Sequence, residues 1–230
     1  MFFITDKNVV KKYKSVDSLK DIYYKKSIDL IKNRSKIRIC VLDDVGFDPQ
    51  QLIKMGYTNV SVRENFDDIS DFKNYNLVLC DVDGVGVQFN PVKQGIAIAE
   101  EITRAYSPFT QVAIYTGKEL ADYEYQEIEG VKVIEKNIPN SRLVEEIDEI
   151  CQIFWNPIKT WDILENYFRK KKLSNKVIMI LEDIFVNAAI NMDESDIISR
   201  TSKLNKGTIQ QIISLGFKFA IAALKIYYEN

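Results

Sequence analysis

The sequence predicts an α/β fold: a five-stranded, parallel, doubly wound sheet with an N-terminal helical arm and an all-α C-terminal segment. Two observations carry the prediction. From Lys36 to Glu135, short β-branched runs alternate with helix-length segments, and each run ends at a polar or Gly-containing loop. After Phe154 the strand pattern stops and stretches with wide apolar faces replace it. At ~150 residues per domain, the 230 residues hold one full core plus an appendage. A composition of 46% hydrophobic and 28% charged residues is that of a folded globule, well above the apolar content of disordered chains.

Residues 16–34 read as a polar helix with Leu19, Ile22, Tyr23 and Leu30 near helical spacing, so 1–35 is expected to form an arm. The strand-like runs are Ile37–Leu42, Val60–Val62, Leu77–Cys80, Val112–Tyr115 and Val131–Ile134. Helical segments are expected at Pro49–Met55, Asp68–Phe72, Gln94–Ala105, Glu119–Ile128 and Ser141–Phe154. Residues 36–150 thus form the sheet domain. In 151–230, Asn156 and Pro157 are an N-cap and first-turn pair, opening a helix that runs into Arg169–Lys172. Ser174 caps a second helix with Val177, Ile180, Leu181, Ile184 and Ala188 on one face and Asp183, Asn187 and Asn191 as a polar strip. Asp193–Lys206 is polar, and Gly207 precedes a last apolar helix. Such wide apolar faces call for partners, either a second copy or the acidic domain, and of these a homodimer through the C-terminal helices is the expectation.

The net charge of −2 conceals a segregation. Residues 1–35 carry 9 basic and 4 acidic side chains, 36–150 carry 11 and 21, and 151–230 carry 11 and 8. The acidic centre is a candidate for binding cations or basic partners. The absence of histidine excludes Ser-His-Asp and Cys-His catalysis, His-ligated zinc and a phosphohistidine on this chain. Cys40, Cys80 and Cys151 have no Cys-x-x-Cys spacing and read as small core residues of a reducing, cytoplasmic environment. The N-terminus meets Asp6 and Lys7 too soon for an export signal, and Lys218 and Lys225 interrupt the most apolar stretch, so no membrane span is expected. Arg169–Lys172 is explained by the dipole at a helix C-terminus, and with no helix-turn-helix signature DNA binding is not expected.

Ligands of an open α/β sheet bind beyond the carboxyl ends of its strands. There the sequence places Asp43 and Asp44 after the first strand, Asp81 after the third, Thr116 after the fourth and Lys136 after the fifth. Carboxylates brought close repel one another unless a cation intervenes, and an all-oxygen site suits Mg²⁺. The metal and the lysine together would offset charge on a phosphoryl group transferred to a carboxylate, with Thr116 hydrogen-bonding one of its oxygens.

On these residues, 36–150 resembles the receiver domain of two-component response regulators, of a divergent, stand-alone type. The resemblance implies a flavodoxin-like fold, Asp43 and Asp44 as the acidic pair, Asp81 as phosphoacceptor, Thr116 as switch residue and Lys136 as the active-site lysine. It also implies side-chain metal ligation by Asp44 and Asp81 with help from Asp43, a backbone carbonyl ligand at Asp83, and a sensor histidine kinase as partner. A chain without histidine fits the acceptor side of that transfer. The sequence departs from the family in having Lys136-Asn137-Ile138-Pro139 where Lys-Pro is usual, Val133 where many receivers carry an aromatic switch, and a long Gly-rich loop over Gly84–Gln94.

Two other readings fit parts of the pattern. Asp81-Val82-Asp83-Gly84 matches the first motif of haloacid dehalogenase-type phosphatases, with Asp81 as nucleophile and Asp83 as general acid. Thr116 and Lys136 then supply the second and third motifs and Glu182-Asp183 the fourth, which requires Val177–Leu181 to be a strand. Alternatively, the chain is a pseudo-receiver, an interaction module that keeps the fold without turning over phosphate.

Overall fold

The computed structural model of the chain describes residues 13–20, 30–123 and 125–191. Its strands are β1 (Arg38–Leu42), β2 (Asn59–Arg63), β3 (Leu77–Cys80), β4 (Gln111–Thr116) and β5 (Lys132–Glu135), with α1 (Leu30–Arg34), α2 (Gln50–Ile53), α3 (Gly95–Tyr106), α4 (Asn140–Cys151), α5 (Pro157–Lys170) and α6 (Asn175–Asn191) around and after them. The five strands are all parallel in the order β2-β1-β3-β4-β5, a flavodoxin-like arrangement. The apolar runs of β1, β3 and β4 are buried on both faces, as the inner strands of a parallel sheet must be. At the edges, β2 and β5 carry exposed residues.

The chain divides into two compact units. One comprises 29–152 and the other 1–28 together with 153–230. In the sheet unit, Ile96, Ile98, Ala99 and Ile102 of α3 pack on Cys40, Leu42, Val78, Cys80, Val112 and Ile114. On α4, Leu143, Val144, Ile147 and Cys151 form the buried stripe. Arg34 ties α1 to α4: its Nε and Nη2 donate to Asp148 at 2.9 and 2.5 Å, and the Tyr57 hydroxyl donates to the same carboxylate at 2.7 Å.

Two expected helices are single 3-10 turns, at Ile69–Phe72 and Leu120–Tyr123. For the second the reason is packing. Leu120, Tyr123, Tyr125 and Ile128 all lie against the sheet core, whereas in an α-helix positions 123 and 125 would be ~200° apart. The first turn is capped at its start by Asp68, whose carboxylate accepts from Ser70 N at 2.7 Å, and it buries Phe72 completely.

In the helical unit, Asn156 caps α5 as its sequence predicts, accepting from Ile158 N at 3.0 Å and Lys159 N at 3.3 Å with Pro157 in the first turn. Trp161 is 1% exposed and packs on Phe185 at 5.4 Å between ring centroids. The polar strip expected on α6 is not left to water. Asp183 is buried and accepts from Lys14 N at 3.0 Å, while Glu182 accepts from Val16 N at 2.8 Å and from the Tyr13 hydroxyl. These acids meet backbone donors that the 13–16 segment would otherwise bury unpaired. Val177–Leu181 lies within α6, so the strand that the phosphatase reading requires there is a helix. Arg169 is engaged by Glu165 at 2.5 Å and by Asn175 at 3.0 Å. Asp193–Lys206 and the last expected helix lie outside the described residues.

Candidate functional site

The strand order places the reversal of winding between β1 and β3, and the crevice at such a reversal is where doubly wound sheets bind ligands. Asp43 and Asp44 follow β1 and Asp81 follows β3. The ladder continues one residue past each strand, with Asp43 N donating to Arg63 O at 3.0 Å and Asp81 N to Leu42 O at 2.8 Å. Backbone positions are thus fixed as far as the carboxylates themselves. Asp43 Oδ1 accepts from Val45 N at 3.1 Å and Gly46 N at 2.9 Å, a turn closed by its own side chain. Asp81 Oδ1 accepts from Val82 N at 2.7 Å.

Lys136, just past β5, bridges the two aspartates. Its Nζ lies 2.6 Å from Asp43 Oδ2 and 2.5 Å from Asp81 Oδ2, and its amide donates to Thr116 O at 2.9 Å. The ammonium also sits 5.6 Å from the centre of the Tyr115 ring, which Phe47 meets edge-on at 5.7 Å. Burial pushes the Asp81 carboxyl up, and Lys136 offsets only part of that, so its pKa stands above the usual aspartate value. For Lys136 burial works against the ammonium, but the hydrogen bonds to Asp43 and Asp81 outweigh it and the pKa is raised.

Two glycines make room for this cluster. At Gly84, where φ is +76°, an added Cβ would stand 1.9 Å from Asp44 Oδ2, so the Asp44 carboxylate lies where a side chain would otherwise be. At Gly95, an added Cβ would stand 1.7 Å from the Asp81 carbonyl oxygen. The start of α3 is thereby pressed onto the backbone of the Asp81 loop, where Gly95 N donates to Val82 O at 3.1 Å.

The other expected site residues are placed less uniformly. Thr116 is buried at the end of β4, and its hydroxyl oxygen accepts from Lys118 N at 3.1 Å. The Asp83 side chain is held by the Tyr123 hydroxyl at 2.9 Å and by Lys118 Nζ at 3.3 Å. The Tyr123 hydrogen bond, aided by Lys118 against slight burial, lowers the Asp83 pKa, which does not suit the proton-donating role of the phosphatase reading. Val133 on β5 is 38% exposed. Lys118 and Tyr123 are not among the site residues expected from the sequence: the helix expected over Glu119–Ile128 gives no reason to bring Tyr123 to Asp83, and Lys118 is signalled only by its place two residues after Thr116.

Carboxylate oxygens of Asp43, Asp44 and Asp81 lie within 4.8 Å of one another, a set that could hold a metal ion. Three carboxylates against one ammonium leave a formal charge of −2, and the donors are all oxygen. The arrangement fits a hard divalent cation.

Comparison with models of known protein families gives no match to this chain, and no curated protein matches it in sequence. No helix among the described residues is long and apolar enough to cross a membrane.

Proposed function

We propose that the chain is a response-regulator-like signalling protein that accepts a phosphoryl group on Asp81 from the phosphohistidine of a sensor kinase in the cytoplasm. The observation that carries this reading is Lys136 bridging Asp43 and Asp81 at the switch point of the sheet, beside Asp44. An Asp81 carboxylate oxygen attacks phosphorus in line, the P–N bond breaks as the P–O bond forms, and the electron pair stays on the departing imidazole. Lys136 exchanges its carboxylate contacts for phosphoryl oxygens, and the Thr116 hydroxyl donates to another of them. Mg²⁺, held by Asp43, Asp44, Asp81 and the Asp83 carbonyl, would supply the remaining charge compensation. The helical unit serves dimerisation or output.

Support also comes from the absence of histidine, which suits an acceptor, and from the placement of the Asp83 carboxylate and of Val177–Leu181, which disfavours the phosphatase alternative. Titration with Mg²⁺ and beryllofluoride, followed by amide NMR, tests the proposal. Shifts in the 81–84 and 116–118 amides that vanish in Asp81→Asn are expected. A wild-type spectrum unmoved at millimolar ligand would instead indicate the pseudo-receiver.

A further inference from the structure

The crossover from β2 to β3 holds only the 3-10 turn Ile69–Phe72, whereas α3 covers the central part of the sheet. Edge strand β2 is left partly open, and its sequence fits that exposure. Asn59, Ser61 and Arg63 stand in register with Arg38, Cys40 and Leu42 of β1 and so share one face with them. Under α3 that face is made of Cys, Leu, Val and Ile. Over β2 it turns to Asn, Ser and Arg, and a groove of about 500 Å³ opens there, with Arg38, Asp71 and Tyr75 also among its lining residues.

The groove is positively biased, with two arginines against one aspartate. Arg63 is 3.4 Å from Asp71 and 5.8 Å from the Tyr75 ring centre. The Arg38 guanidinium has no hydrogen-bond or ion-pair partner among the described residues. The edge itself is also unpaired, since β2 bonds to β1 alone among the described strands. Because Arg63 O accepts from Asp43 N, residues 59, 61 and 63 turn their backbone groups toward β1, and Val60 and Val62 turn theirs outward.

We propose that this edge takes up an extended acidic peptide of a partner protein as a sixth strand. Its backbone pairs with the outward N–H and C=O groups of Val60 and Val62, and its carboxylates reach Arg38 and Arg63. Arg38 is level with Asn59, and Arg63 lies four residues further along, ~13 Å at the rise of a parallel strand. Acidic residues four apart on one face of the added strand match that spacing. A small anion would use the arginines and leave the edge groups in water. A second copy of β2 would bring arginines against arginines.

The probe is a fluorescein-labelled octapeptide of alternating Val and Thr with Glu at its second and sixth positions, titrated against the full chain by anisotropy. Saturable binding is expected, weakened at least ~10-fold by Arg38→Glu and by a Lys-for-Glu peptide. Val62→Pro removes an outward donor while sparing the bonds to β1, and it should weaken binding comparably. A peptide N-methylated at alternate residues makes the same test without altering the protein. No saturation by ~1 mM, equal binding of the Lys peptide, or undiminished binding of the N-methylated peptide would each overturn the proposal. So would a dimer of the unliganded chain that Val62→Pro dissociates, since β2 would then be occupied by its own copy.

Discussion

Replacing Gly84 by Ala should remove Asp44 from the acidic cluster while leaving the fold in place. The new Cβ would stand 1.9 Å from Asp44 Oδ2 and 2.3 Å from its Cγ, far inside the ~3.5 Å of ordinary contact. Something must move, and the obstructing group is the end of an exposed side chain. Holding Ala at φ +76° adds about 1–2 kcal/mol of backbone strain, a drop of some degrees in melting temperature. The effect on metal binding is larger. Oxygens of the three carboxylates lie within 4.8 Å of one another. One unit charge at about that distance from a divalent cation is worth about 2 kcal/mol even at the dielectric constant of water, roughly a 30-fold loss of affinity. Isothermal titration with Mg²⁺ should show that loss in Gly84→Ala, the same loss in Asp44→Ala, and no further loss in the double variant. Wild-type affinity in Gly84→Ala, or additive losses in the double variant, would refute the placement of Asp44 at the metal.

Trp161→Ala should cost about 3–5 kcal/mol, because the indole is 1% exposed and packs on Phe185; urea unfolding followed by circular dichroism reads it. Arg34→Ala should cost about 2–3 kcal/mol in the same assay by depriving the Asp148 carboxylate of its two guanidinium bonds. Burial raises all three thiols, Cys40 to about 12, so none should react with Ellman's reagent in the folded chain at pH 8, and all should react in denaturant. Since the folded-state values are raised, their contribution to stability is complete below the unfolded thiol pKa and declines as pH rises from about 9 toward 12; thermal melts across that range should show the decline.

The sheet was legible because its central strands are unbroken apolar runs. Leu77–Cys80 is strand from end to end, and the carboxyl-end rule then places Asp43, Asp44, Asp81, Thr116 and Lys136 on one edge. What escaped was decided by packing at a distance. Nothing local shows that Tyr123 and Tyr125 both turn to the sheet, and that demand converts a helix-length segment into a 3-10 turn and brings Tyr123 to Asp83. Likewise, the acidic pair on α6 looks solvated until Lys14 and Val16, more than 160 residues earlier, bring backbone donors to it. The role of Gly84 was hidden for the same reason, since its need for space comes from the Asp44 carboxylate in the loop after β1, 40 residues earlier in the chain.

Whether Asp81 accepts a phosphoryl group is read by intact-mass spectrometry after incubation with phosphoramidate and Mg²⁺. A single phosphoryl adduct is expected that hydroxylamine removes, that needs the metal, that is absent in Asp81→Asn and that forms more slowly in Lys136→Ala. An adduct that survives Asp81→Asn, or a wild-type chain that stays unmodified, would contradict phosphoryl transfer to Asp81.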